Sequence, residues 1–102
     1  MEMKIVWTEK AKLQLKRIHL FYIEKASFKV AESIVNGLID HVTNLQYNPE
    51  MGGKELSLLH YSEGYRYLVE GNYKIIYWID HQEVIVSLIV DCRRDPADLK
   101  ID

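Results

Sequence analysis

Little in this chain suits it to the covalent or metal chemistry of small proteins. One cysteine, Cys92, among 102 residues has no partner for an internal disulfide, the usual staple of small secreted folds. Most lone cysteines are small buried hydrophobes, so Cys92 is expected in a core rather than as a nucleophile. The four histidines, His19, His41, His60 and His81, are scattered with no i, i+4 pair, and no metal site is expected. Five glycines include no phosphate-binding loop, because the isolated Gly52-Gly53 pair before Lys54 lacks P-loop spacing. Ser57, Ser62 and Ser87 have no nucleophile-elbow context. No cofactor is implied. No apolar run approaches the ~20 residues of a membrane span, and the charged Met1–Trp7 segment lacks the apolar core of a signal peptide. These absences predict a cytoplasmic protein.

An excess of one charge is missing as well. Thirteen Lys and Arg against fifteen Asp and Glu leave −2, which excludes a strongly basic nucleic-acid binder by bulk charge. The distribution is uneven. Residues 1–25 carry six basic and three acidic side chains, whereas residues 76–102 carry three basic and six acidic. The apolar fraction of 48% is sufficient for a core and argues against disorder, and the length fits one domain over 1–102.

The hydrophobic period changes along the chain. Met3, Ile5 and Trp7 alternate as in a strand, and Thr8 is a natural N-cap for the helix that follows. Ala11, Leu15, Ile18 and Tyr22 form one helical stripe. Leu13 and Leu20, one heptad apart, lie off it and either meet a neighbouring helix or stand exposed for a partner. A tight turn at Ala26 and Ser27 opens a second helix, whose apolar face runs from Ala31 through Ile34, Val35, Leu38 and Val42 to Leu45. Gly37 costs that helix about 1 kcal/mol, and close helix packing is the simplest reason to keep it. Asn48-Pro49 closes the segment.

Glu55–Gly64 has no clear period and reads as loop or short edge strand. Tyr65–Val69, Tyr73–Ile79 and Glu83–Val90 are rich in aromatic and β-branched residues, with turns at Gly71-Asn72 and Asp80–Gln82, and read as an antiparallel meander. The predicted class is α+β: an N-terminal strand and a helical hairpin packed on a small antiparallel sheet. Lys54, Arg66, Lys74, Arg93 and Arg94 lie on or beside that sheet, near Tyr61, Tyr65, Tyr67 and Tyr77. Arg66 either grips a phosphate from an exposed sheet face or pairs with a carboxylate such as Asp91. Arg93 and Arg94, at a strand end, are either solvated or part of a site.

The order of these motifs resembles a known family. Trp7-Thr8, Ala11, Ile18 and Tyr22 open the resemblance, Asn48-Pro49 and Gly52-Gly53 continue it, and Tyr65-Arg66-Tyr67-Leu68-Val69, Tyr73–Tyr77 and Val90–Pro96 complete it. The chain resembles toxins of the RelE/ParE superfamily, the toxic halves of bacterial type II toxin–antitoxin pairs, often labelled plasmid stabilisation proteins. The resemblance implies a growth inhibitor neutralised by a cognate antitoxin, with Leu13 and Leu20 and the C-terminal strand edge as candidate antitoxin contacts. For the target it implies two branches. ParE-like members inhibit DNA gyrase. RelE-like members are endoribonucleases that cleave mRNA on the ribosome, and Lys54, Arg66, Arg93 and Arg94 fall where their catalytic basic residues are expected. The sequence departs from that second pattern after Arg94, where no tyrosine or histidine follows, and at Asp91, where many relatives carry a histidine. The mild acidity also favours the ParE-like branch, since a ribosome-bound nuclease gains from neutralising phosphates. A third expectation is a decayed module that retains only antitoxin binding.

Overall fold

The computed structural model describes residues 2–93 and 99–101. Strand β1 (Lys4–Trp7) leads into helix α1 (Glu9–Lys25), then helix α2 (Phe28–Thr43). Strands β2 (Gly53–Lys54), β3 (Arg66–Glu70), β4 (Tyr73–Asp80) and β5 (Glu83–Asp91) follow, in the sheet order β1-β5-β4-β3-β2.

The helix starts are set by hydroxyl caps. Thr8 Oγ1 accepts from the Ala11 N–H at 3.1 Å and donates to the Val86 carbonyl at 3.0 Å, so the same side chain fastens α1 to β5. Ser27 Oγ accepts from the Val30 N–H at 3.1 Å and opens α2 directly after the Ala26 cap. The expected two-residue link between the helices is therefore present. The second helix stops earlier than its apolar face suggests. Regular α-helix ends at Thr43, and a 3₁₀ turn over Asn44–Gln46 carries Leu45 into the core.

Two of the four strand pairings are antiparallel hairpins as expected, with tight turns at Gly71-Asn72 and His81-Gln82. His81 adopts φ +56°, the left-handed conformation that such a turn demands. The sheet is mixed rather than wholly antiparallel, because β1 pairs parallel with β5 from Lys4↔Glu83 to Trp7↔Val86. A parallel pair needs a long crossover, and here the helical hairpin and β2–β4 supply it. This arrangement narrows the expected C-terminal strand edge. The outer side of β5 is taken by β1 from Glu83 to Val86, and beyond it Gln14 Oε1 accepts from the Ile89 N–H at 2.8 Å.

The sheet is covered on both faces. The hairpin packs Ala11, Ile18, Leu38 and Val42 against Leu68, Ile75, Tyr77, Val84 and Val86. On the opposite face Leu58, Tyr65, Ile76, Leu88 and Val90 form a second cluster, roofed in part by Tyr61, Trp78, Leu99 and Ile101. Lys10 Nζ ties the C-terminal segment down by donating to the Lys100 carbonyl at 3.0 Å. Strand β4 lies between the two cores, with Ile75, Ile76 and Tyr77 fully buried, as its apolar sequence predicted.

Candidate functional surfaces

Arg66, at the start of β3, stands opposite Lys54 of β2. Its guanidinium is neither free nor paired with Asp91. It donates to the Gly52 carbonyl at 2.7 Å and reaches the Glu50 carbonyl at 3.4 Å. The same loop is held from beneath by the buried Tyr77 hydroxyl, which accepts from the Gly52 N–H at 2.9 Å and donates to the Pro49 carbonyl at 2.7 Å. Burial pushes the Tyr77 phenol up, so it stays protonated and able to donate. Gly52 is required here by space. A Cβ at this position would stand 2.4 Å from the Tyr67 carbonyl oxygen and 2.6 Å from the Tyr77 hydroxyl. The Gly52-Gly53 pair thus marks a backbone clamp, where a sequence reading sees only a loop.

Lys74 interrupts an otherwise apolar strand because it neutralises Glu55, which is almost fully buried. Its ammonium donates to Glu55 Oε1 at 2.8 Å and lies 4.5 Å from the centre of the Tyr67 ring. Ser57 Oγ donates to the other carboxylate oxygen at 2.7 Å. Burial alone would raise the Glu55 pKa; the Lys74 and Ser57 hydrogen bonds outweigh it and hold the carboxyl below its ordinary value.

Arg93, beyond the end of β5, folds back on Asp91, with Nε donating to Oδ1 at 2.8 Å. That hydrogen bond raises its pKa further, so the side chain stays cationic, in an ion pair that is open to solvent. Arg94 lies outside the described residues. Arg66 faces Tyr77 across β3–β4 and Asp91 faces Tyr73 across β4–β5. Four residues of strand, about 13 Å, therefore separate the two arginine stations along β4. Lys54, Arg66 and Arg93 do not converge on one point. Lys54 is exposed at a cleft of about 300 Å³ that Leu58, Leu59, Tyr61, Tyr65 and Arg66 line with it.

Cys92 is exposed rather than buried, because it follows the last strand residue, where the chain leaves the sheet. Gly37 does not serve helix–helix contact. A Cβ there would stand 3.3 Å from Glu70 Oε2, so the glycine admits a carboxylate of β3 beside α2.

The outer face of α1 is a different kind of surface. At 100° per residue, Leu13 and Leu20 point about 180° from the Ala11, Leu15, Ile18 and Tyr22 stripe. They are 46% and 53% exposed, which excludes the neighbouring-helix alternative. Lys12, Lys16 and Arg17 flank them, all exposed. Between the helices Leu15 and Val35 floor a groove of about 300 Å³, rimmed by Lys12, Lys16, His19 and Glu32. Phe28, at the start of α2, continues the apolar surface with 62% exposure and meets the His19 ring edge-on at 5.8 Å. Phe28 is absent from the sequence-level site. It stands one heptad before Val35, at the edge of the apolar face, so the helical pattern gave no sign of its exposure.

Among the described residues no group of three or more His, Cys, Asp or Glu is placed to hold a metal ion, and no helix is long and apolar enough to cross a membrane. A helical hairpin on a five-stranded sheet of this order is the architecture of a toxin domain of the RelE/ParE superfamily. A solved structure titled "Chromosomal ParDE TA system from P. aeruginosa" superposes with a TM-score of 0.74 at 22% identity, over 88% of this chain and 96% of that one. The chain belongs to the ParE toxin family of type II toxin–antitoxin systems, whose family model, described as "ParE toxin of type II toxin-antitoxin system, parDE", matches residues 5–96. It is accordingly the toxin component of such a pair, with an antitoxin as its partner. No curated protein matches it significantly.

Proposed function

We propose that the protein arrests growth from within the cytoplasm by binding another protein, DNA gyrase, and not by cutting RNA. The observation that carries this reading is the commitment of the sheet's cations. Arg66 is engaged by the carbonyls of Gly52 and Glu50 and Lys74 by the buried Glu55, while Arg93, in an exposed pair with Asp91, stands about 13 Å along β4 from Arg66. A nuclease needs such groups free and convergent on one phosphate, beside a general base. The antitoxin's place in this reading is the α1 face, where Leu13 and Leu20 offer apolar anchors at heptad spacing between basic residues. An amphipathic helix with acidic flanks complements it.

One observation favours the ribonuclease alternative: Lys54 is exposed beside Arg66, Tyr61 and Tyr65 at a cleft. The two readings separate in a paired assay. Purified toxin is added to gyrase with relaxed plasmid, and in parallel to a translation extract with end-labelled mRNA. Loss of supercoiling with intact mRNA is the expected result. Ribosome-dependent cleavage that disappears in the Lys54→Ala, Arg66→Ala, Arg93→Ala triple variant, with supercoiling unaffected, would replace this proposal with the nuclease.

A further inference from the structure

At the end of the molecule remote from Lys54 and Arg66, α1, α2 and the β3–β4 hairpin enclose a cavity of about 240 Å³. Tyr22, Ser33, Ile34, Leu38, Glu70 and Tyr73 line it, together with the turn residues Gly71 and Asn72. Its size is below the roughly 300–1,000 Å³ of pockets for drug-sized ligands and suits a single side chain.

The lining has one chemical character. None of its residues is basic and its one charged group is the Glu70 carboxylate; the two phenols, the Ser33 hydroxyl and the Asn72 amide can each accept as well as donate. Tyr73 donates to the Tyr22 hydroxyl at 3.3 Å, which joins the two phenols of the lining. Burial, then the Tyr22 contact, raises the Tyr73 pKa, so this phenol remains neutral. The Glu70 carboxylate has His41 Nδ1 at 3.0 Å from Oε1, while Oε2 faces the gap that Gly37 leaves open. Arg93, whose charge acts on both phenols, is paired with Asp91, which offsets it. Ile34 and Leu38 supply an apolar wall.

We propose that this cavity is a receptor for a guanidinium or ammonium group on a short apolar stem. The Glu70 carboxylate pairs with the cation, the Tyr22 and Tyr73 rings offer their faces and hydroxyls, and Ile34 and Leu38 pack the stem. The fold also suggests how such a group arrives. Strand β2 covers only Arg66 and Tyr67 of β3, so Leu68, Val69 and Glu70 have no strand on their outer side among the described residues. An extended segment along that edge would place alternate side chains beside Leu68 and Glu70 on the helix face. An arginine or lysine opposite Glu70 enters the cavity, while an apolar residue opposite Val69, which is 51% exposed, covers the other face. The inference rests on the cavity and is independent of the toxin's target.

The test is an amide-resolved NMR titration of the whole chain with two probes, N-acetyl-arginine-N-methylamide for a peptide-borne group and agmatine for a free one. The norleucine analogue serves as the uncharged control. Saturable shifts at Gly71, Asn72 and Tyr73 with either cationic probe are expected, and the tighter probe identifies the source. Glu70→Gln should weaken binding roughly tenfold or more, as the loss of a charge-assisted contact implies. Ser33→Leu, at an exposed helical position, should block the cavity and remove the shifts, which provides a second reading if Glu70→Gln disturbs the fold. Equal shifts from norleucine, or undiminished binding by a folded Glu70→Gln or Ser33→Leu variant, would overturn the proposal.

Discussion

Replacing Tyr77 with phenylalanine removes one oxygen from the junction between β4 and the loop that follows α2. The ring is fully buried and phenylalanine keeps its volume, so no cavity opens and the cost is confined to hydrogen bonding. Two contacts are lost, the one accepted from Gly52 and the one donated to Pro49. Each is worth about 1 kcal/mol net, and a buried Gly52 N–H left without an acceptor adds about 1–3 kcal/mol. The expected loss is therefore about 3–5 kcal/mol, a large part of the roughly 5–15 kcal/mol that stabilises a domain of this size. Urea unfolding should show a lower midpoint with an unchanged m-value. Because the phenol pKa is raised above its ordinary 10, the loss should be constant across neutral and mildly alkaline pH. A loss under about 0.5 kcal/mol, the size of an ordinary surface substitution, would refute the clamp. A double-mutant cycle with Arg66→Met then asks whether the two side chains act together. Both hold Gly52, one through its N–H and the other through its carbonyl, and a coupling of about 0.5–3 kcal/mol is expected for residues sharing a partner.

The Lys74–Glu55 pair makes a second prediction. Lys74→Met leaves a nearly buried carboxylate facing an apolar chain, and should cost about 2–4 kcal/mol at neutral pH by urea unfolding, somewhat under a fully dry pair because Lys74 is 23% exposed. The folded Glu55 carboxyl titrates below the 4.5 of the unfolded chain. Its stabilisation is thus complete above that value and is lost as pH falls through the lower folded value. Urea titrations of wild type and Glu55→Gln at neutral and acid pH should converge, and an unchanged gap would contradict the pairing. On α1, Leu13→Asp with Leu20→Asp should leave thermal unfolding nearly unchanged, since both side chains are half exposed. Burying the remaining halves against an antitoxin is worth about 1 kcal/mol each, so calorimetric affinity should fall at least tenfold. Unaltered affinity would move the antitoxin site elsewhere.

The helices, their caps and the β3–β5 meander were legible because each is a local pattern: a 3.6-residue stripe, a hydroxyl before it, a run of β-branched residues between turns. The parallel attachment of β1 was not, because it pairs residues some eighty positions apart and no short motif encodes it. The same distinction explains Arg66. A guanidinium in an apolar strand announces that a partner exists, but whether that partner is a phosphate, Asp91 or a main-chain carbonyl depends on where the Pro49–Gly53 loop passes. Glu55 and Lys74, nineteen residues apart, each look anomalous alone and form one unit only when the 3₁₀ turn over Leu56–Leu58 folds beneath the sheet. The heptad offset of Leu13 and Leu20 was visible, and the structure removes the neighbouring-helix reading by leaving both exposed.

A net charge of −2 says little about where charge can act, because the fold disposes of the charges selectively. Lys74 is neutralised by the buried Glu55, and the Arg66 guanidinium is turned onto the Gly52 carbonyl, so the sheet presents a polyanion with fewer available cations than its sequence suggests. On α1, by contrast, Lys12, Lys16 and Arg17 surround Leu13 and Leu20, and of these three cations only Lys12 is paired among the described residues, with Glu9 at the exposed start of the helix. Exposed ion pairs of that kind are worth less than about 1 kcal/mol and yield readily to a partner. The available positive charge therefore lies beside apolar side chains on a helix face, where it can steer an acidic amphipathic segment into place and leucine burial can hold it. A phosphate backbone would use the cations and leave the leucines in water. That pairing of charge with apolar surface favours protein contact as the mode of both neutralisation and action.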